Sequence, residues 1–306
     1  MSAKEKIVIA GGSGFIGKAL AAYFKSKYDV VILSRNNQVD EEGIRYVYWD
    51  GKTLGYWQRE LEGITALINM TGRSVDCRYN QTNKDEIYNS RLNSTYILGK
   101  AIEKCLIKPQ VWLNSSSATI YRYAEDRPMT ELTGDLGKGF SVDVCKKWEQ
   151  MFNSFSYLGV RQVALRTAIV LGKNKGVMVP FTNLVKFGLG GKAAGGKQMF
   201  SWIHIDDVCR AIDFLIHENI SNGAYNISSP NPITNKVFMR CLRKQMHIPI
   251  GLAQPKWLLT IGAKLIKTET ELILKSRWVV PERLQQAGFT FSFYTVEEAL
   301  QQLVKK

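Results

Sequence analysis

Short apolar runs recur along the first half of the chain, each followed by a segment with helical spacing. "KIVIA" (6–10), "VVILS" (30–34), "YVYW" (46–49), "ALINM" (66–70), "VWLNSS" (111–116) and "RQVALR" (161–166) are the strand candidates. Most are continuous rather than alternating, the pattern of strands buried on both faces. Residues 15–27, 83–105 and 142–157 between them carry apolar side chains at helical intervals. This alternation predicts an α/β fold, a doubly wound parallel sheet covered by helices on both sides.

After Arg166 the pattern changes. Residues 172–200 are rich in glycine and read as a loop-rich excursion around one short helix. "SWIHIDDVCRAIDFLIHE" returns to a helix, with Asp206 or Asp207 as the expected N-cap, and "AYNIS" (224–228) reads as a further strand. Beyond Pro230 helical segments dominate, ending in "TVEEAL", where Thr295 and Glu298 have capping-box spacing. The expected division is a sheet domain of 1–166 plus 201–228 and a smaller, mostly helical lobe of 167–200 plus 229–306.

Composition narrows the class. With 306 residues and 45% hydrophobic positions the chain can bury a sizeable core. No apolar run reaches the ~20 residues of a bilayer crossing, and the start enters a strand too soon for a secretory leader. Cys77, Cys105, Cys145, Cys209 and Cys241 are widely spaced and odd in number, which favours a reducing, cytoplasmic setting and offers no metal cluster. The net charge of +14 is the unusual bulk property. Its cations are scattered and no nucleic-acid motif accompanies them, so anionic small-molecule ligands fit better than nucleic acid. The oligomeric state stays open.

The segment "KIVIAGGSGFIGKAL" is strand, glycine turn and helix in that order. In "GGSGFIG", Gly11 permits the tight turn, Gly14 admits a pyrophosphate and Gly17 packs helix on strand; Gly12, Ser13, Phe15 and Ile16 complete the cradle. The helix N-terminus then offers free N–H groups to phosphate. At the end of the second strand Ser34 stands where an NAD site wants a carboxylate, and Arg35 follows as a fork-shaped phosphate donor. That favours NADP over NAD. Asp50, after the third strand, is a candidate for the adenine amine or for capping a turn.

The chain resembles the extended short-chain dehydrogenase/reductases of the sugar-nucleotide epimerase/dehydratase type. "GGSGFIG", "ALINMTG", "SRLNSTYIL", "LNSSSATIY" and "SWIHIDDVCRAI" carry the resemblance along most of 6–228. "TGRSVDCRYN", "FSWIHIDDV" and "ILKSRWVVPERLQQAGFTF" are similar to an atypical branch labelled epimerase family proteins, sometimes cell-division inhibitors, which end in a domain of unknown function. The resemblance implies a Rossmann domain with a small substrate lobe, an NAD(P) cofactor and a small-molecule substrate. It also implies roles for Ser117 as the serine that meets the reacting oxygen, Asn93 as the helix asparagine near the active site, and Thr71 and Gly72 as the small pair the cofactor passes.

One stretch departs from the family. Its members carry Tyr-x-x-x-Lys at the start of a helix, followed four residues later by an acid. Anchored on Glu149, "GFSVDVCKKWE" (139–149) puts Ser141 at the tyrosine position and Cys145 at the lysine position. Serine is too weak an acid for that task, and a thiol ionises near pKa ~8.5 yet reads here as a small buried hydrophobe. Lys146 lies about 100° round the helix. Tyr121 and Tyr123, just past Ser117, are alternative phenols; Arg73, Arg78 and Arg91 are candidates for an anionic substrate; His204 reads as a packed histidine. The expectation is an NADP-binding, epimerase- or reductase-like protein with a non-standard active site, against the alternative of a non-catalytic NADP-binding sensor.

Overall fold

In a computed structural model, residues 4–36, 38–41, 43–218, 220–257, 259 and 274–305 are described. Seven strands form one parallel sheet: β1 (Lys6–Ala10), β2 (Asp29–Ser34), β3 (Ile44–Tyr48), β4 (Ala66–Asn69), β5 (Val111–Ser117), β6 (Arg161–Thr167) and β11 (Gly223–Ile227). Their spatial order is β11-β6-β5-β4-β1-β2-β3, so the chain winds outward from β1 in one direction and from β4 in the other. This is the Rossmann arrangement, and it opens a crevice at the carboxyl ends of β1 and β4. The apolar runs place these strands correctly to within two residues, because both faces of each are covered.

Helices α1 (Phe15–Phe24) and α5 (Ile205–His217) cover one face, burying Leu20, Phe24, Val208 and Ile212 against Ile7, Ile9 and Ile32. On the other face α2 (Gln81–Glu103) and α3 (Phe140–Asn153) bury Leu98, Ile102 and Phe152 against Val8, Leu67 and Trp112. Both elements of the candidate site beyond the glycine turn, the α2 and α3 N-terminal halves, thus rise from the same side of the crevice.

A second core gathers around β7 (Ile169–Gly172), β8 (Lys175–Gly176), α4 (Met178–Lys186), β9 (Met199–Phe200), β10 (Trp202–His204), β12 (Ile233–Thr234), α6 (Asn235–Gln245) and α8 (Val296–Val304). Trp202, Phe238, Leu242 and Leu300 are buried within it. The short strands of this part escape the sequence pattern, and β10 pairs with β7 rather than with the main sheet. Residues 276–280, just before α7 (Glu282–Gln286), thread between the two parts: Met129 N–H donates to Trp278 O at 2.6 Å, and Ser201 Oγ to Arg277 O at 2.6 Å.

The cap of α5 is a correction. Neither Asp206 nor Asp207 is its N-cap; His204 is, its Nδ1 accepting from Asp206 N–H at 3.1 Å. Asp207 is drawn inward instead, accepting from the Ser292 and Phe293 N–H groups at 2.8 and 3.0 Å. The capping box of α8 is present, with Thr295 and Glu298 bonded reciprocally.

Candidate active-site cleft

The glycine turn joins β1 to α1 at the crevice. Gly11 takes φ +74°, and a Cβ there would lie 2.9 Å from the Thr71 backbone. A Cβ on Gly17 would meet Gly12 Cα at 2.5 Å, so that pair sets how closely α1 seats on the sheet. Gly14 differs: the nearest atom to its Cβ position is 3.8 Å away. Gly14 is the α1 N-cap and supplies no side-chain acceptor, so the first-turn N–H groups await an anion. Beside them the Thr71 hydroxyl is buried without a hydrogen-bond partner. An open cradle, unsatisfied helix donors and an orphaned hydroxyl fit the phosphates of a dinucleotide. Ser13 is exposed, whereas Ile16 packs on the core and the Phe15 ring lies over Gly172 of β7.

At the end of β2, Ser34 is buried and its hydroxyl accepts from Asn36 N–H at 3.2 Å. Arg35 is exposed and has no ion-pair partner among the described residues. The Asp50 carboxylate accepts from Lys52 N–H, Thr53 N–H and the Thr53 hydroxyl at 2.7–2.9 Å, capping its own turn. It also lines a hollow of ≈ 270 Å³ with Tyr48, Tyr56 and Trp57.

Beneath the crevice lies a polar network that the sequence pattern does not reveal. Asn69 of β4 and Asn114 of β5 are register partners and fully buried. Asn69 Nδ2 donates to Asn114 Oδ1 at 2.7 Å, Asn69 Oδ1 accepts from Thr71 N–H at 3.1 Å, and Trp148 Nε1 donates to Thr95 Oγ1 at 2.9 Å. Thr95 reaches Asn114 at 3.3 Å, so β4, β5, α2 and α3 are tied together under the cofactor path. The available signal was an asparagine near the end of each of two adjacent apolar strands.

Ser141 and Cys145 stand on the α3 wall. Cys145 is buried, and burial pushes its thiol up to about 11 although Arg91 acts against that. It is a neutral thiol at ordinary pH, which counts against it as the acid or nucleophile. Ser141 is buried, with its hydroxyl 3.4 Å from that of Tyr79. Lys146 donates to Gly137 O at 2.9 Å, away from both. Glu149, the anchor of the helix, accepts from Ser116 Oγ at 2.6 Å and pairs bidentately with Arg166 at 2.8–2.9 Å.

The remaining candidates separate. Ser117 caps the short turn 118–120, accepting from Thr119 N–H at 3.2 Å and donating to its hydroxyl at 3.0 Å. Tyr121 is fully buried, donates to Asn226 and accepts from Arg166, both at 2.9 Å, and burial raises its pKa. Tyr123 is exposed and bonded to Glu125, which pushes it up to about 12. His204 is the packed histidine its context suggested, bonded to Gln302 at 2.7 Å and 3.9 Å from the Phe293 ring centroid. Among the described residues no cluster of His, Cys, Asp or Glu is placed to hold a metal.

Of the arginines, Arg73 is tied to α2 through Asn83 at 2.9 Å and an ion pair with Glu86; Arg78 is exposed on the same connection. Arg91 turns inward. Its Nη1 donates to Ile87 O at 2.9 Å, its guanidinium stands 5.1 Å from the Trp148 ring centroid, and a Cβ on Gly72 would come within 3.2 Å of it. No carboxylate pairs with it among the described residues, and burial lowers its pKa. Asn93 lies about 200° round α2 from Arg91 and has no hydrogen-bond partner among the described residues. Arg91 is thus carried toward the connection after β4, beside Gly72, while Thr95 of α2 reaches Asn69 at the end of β4.

The comparisons with known proteins agree with this architecture. Residues 7–228 match the model of the NAD dependent epimerase/dehydratase family, and residues 254–303 match a domain of unknown function, DUF1731. The chain is 30% identical over 303 residues to an epimerase family protein of Staphylococcus epidermidis, covering 98% of this chain and 99% of that one. It is 29% identical to the epimerase family protein YfhF of Bacillus subtilis, with 97% of each covered. A crystal structure of human epimerase family protein SDR39U1 with NADPH superposes with a TM-score of 0.85 at 25% identity, over 98% of this chain and 99% of that one. No helix among the described residues is long and apolar enough to cross a membrane.

Proposed function

Because the chain belongs to the NAD dependent epimerase/dehydratase family, we propose that it is an NADP(H)-dependent oxidoreductase, reductase- or epimerase-like, acting on an anionic small molecule such as a carbonyl compound or sugar nucleotide. The observation that carries the reading is the cradle itself: open space at Gly14, uncapped α1 donors and the unpartnered Thr71 hydroxyl. Arg35 at the end of β2, with Ser34 in place of an acid, supports NADP over NAD, in keeping with the NADPH in the human relative. When bound, the nicotinamide supplies hydride to or takes it from a substrate carbon. The chain's own part is to seat the phosphates at α1, to hold Thr71 through Asn69, and to draw an anion toward Arg73, Arg78 and Arg91.

A second reading, a non-catalytic NADP(H) sensor, is favoured by the neutral, buried Cys145 and the locally satisfied Ser117. One experiment serves both. Gly14→Val has room in the unliganded fold and fills the space a pyrophosphate needs. It is expected to abolish NADPH binding while leaving the circular dichroism spectrum unchanged. Unaltered binding overturns the cofactor site. Wild-type binding without NADPH oxidation across a panel of carbonyl compounds and sugar nucleotides replaces the enzyme with the sensor.

A further inference from the structure

The helix α3 lacks both groups of the family's proton-transfer pair, yet a phenol and a cation stand at the two vacated positions, each delivered from another element. Tyr79 comes from the connection between β4 and α2, one residue before the α2 N-cap Asn80. Its ring packs on Phe140 at 4.7 Å between centroids, and its hydroxyl lies 3.4 Å from Ser141 Oγ. Arg91, three turns further along α2, faces Cys145 across the α2–α3 seam, stacked on Trp148 and against Gly72. Among the described residues, the charges of Cys145 and Tyr79 both act on the Arg91 guanidinium, against the burial that lowers its pKa.

We propose that Tyr79 is the proton donor of this active site and that Arg91 is the cation that makes its phenolate accessible, the two replacing Tyr-x-x-x-Lys from a different part of the chain. The proposal rests on the oxidoreductase reading above. In the reducing direction, the substrate carbonyl carbon takes hydride from NADPH and its oxygen takes the Tyr79 hydroxyl proton, directly or through the Ser141 hydroxyl. One C–H and one O–H bond form, the C=O π bond is lost, NADPH is oxidised, and water reprotonates the phenolate. A phenol ionises near ~10 and an opposite charge close by favours its anion. Arginine suits the role in a partly desolvated seam, because it keeps its charge where a lysine would release a proton. Burial lowers the Arg91 pKa, and the guanidinium remains a cation nonetheless.

Other charges share this neighbourhood. On α3 these are Asp143, which pairs with Lys147 and accepts from Tyr88, Lys146, the neutral Cys145, and Glu149, which acts on Cys145 and is paired with Arg166. On α2 there is Lys84 over the Phe140 ring, on the connection itself Arg78, and from the lobe Lys275 and Arg277, both acting on Cys145. Arg91 is the cation of this set placed in the seam beside both Tyr79 and Cys145.

The test is a spectrophotometric alkaline titration of the full chain with excess NADP+. Subtracting the Tyr79→Phe curve from the wild-type curve isolates one phenol, and this variant keeps the ring on Phe140. Arg91→Met is expected to move that single titration upward by about one pH unit or more, and Arg91→Lys to return most of the shift. An unmoved titration in Arg91→Met, or a Tyr79 phenol that does not ionise before alkaline unfolding, overturns the proposal even when NADPH binds. With 9,10-phenanthrenequinone as carbonyl probe, Tyr79→Phe is expected to lower kcat roughly 10²–10⁴-fold at unchanged NADPH affinity. Full turnover in Tyr79→Phe also overturns it. Loss of NADPH binding in the wild type, by contrast, strikes the oxidoreductase reading and leaves the titration result standing on its own.

Discussion

At the scale of single residues, the cofactor cradle turns on two glycines and one arginine. Gly11 takes a left-handed φ beside the Thr71 backbone, and Gly17 seats against Gly12 five positions earlier. Arg35 is legible in the sequence because the residue after a β2 strand end sits at a fixed place relative to the cradle. We expect NADPH to bind more tightly than NADH, and Arg35→Ala to weaken NADPH about tenfold or more while leaving NADH nearly unchanged, because a charge-assisted hydrogen bond to phosphate is lost. Calorimetric titration of both cofactors into both proteins checks it; equal wild-type affinities would sink the NADP assignment. Tyr79 and Arg91 were harder to read. In the sequence Arg91 is one of three candidates for an anionic substrate, and the packing of α2 on α3 is what puts it against Trp148 and Gly72; Tyr79 lies inside "TGRSVDCRYN", a segment that carries the resemblance but attaches no role to this tyrosine.

At the scale of elements, the parallel strands were readable because burial on both faces leaves unbroken apolar runs, whereas β7, β8 and β9 are two to four residues long and exist through their partners. The α5 start shows how tertiary demand overrides a local rule. Two aspartates stood ready as caps, but Asp207 is needed by the Ser292–Phe293 backbone, and His204 takes the cap. This has a pH consequence. His204 accepts at Nδ1 from the helix N–H and engages Gln302 of α8 with Nε2, so the fold requires the neutral ring. Burial lowers its pKa below the ordinary ~6.5. A group depressed in the folded state contributes stability that is complete above its unfolded pKa and lost as pH falls toward the folded one. The melting temperature is therefore expected to decline as pH drops below about 6.5, and to decline less in His204→Asn, which keeps a capping oxygen without a titrating ring. Identical pH profiles for the two proteins would show that the ring is not the sensitive group.

At the scale of the whole molecule, the net charge of +14 acquires a direction. Arg35 at the β2 end, Arg73 and Arg78 on the β4–α2 connection and Arg91 on α2 stand around the crevice, and Lys275 and Arg277 act on Cys145 from the lobe. A cleft lined by one sign of charge concentrates ligands of the other and accelerates their capture. Such steering acts over distances comparable to the Debye length, about 10 Å at 0.1 M salt, and fades as ions screen it. Contacts made after docking are short and far less screened. The association rate of NADPH, followed by stopped-flow fluorescence, is therefore expected to fall about tenfold between low and high salt, while the dissociation rate changes little. NADH lacks the 2′-phosphate, which carries up to about two negative charges, so its association rate is expected to fall less. Arg35→Ala removes one contact and one charge of many, so it is expected to speed NADPH dissociation while keeping most of the salt dependence of association. If salt acts on dissociation instead, or equally on NADPH and NADH, the charge is a general property of the surface and does not guide the cofactor to its cleft.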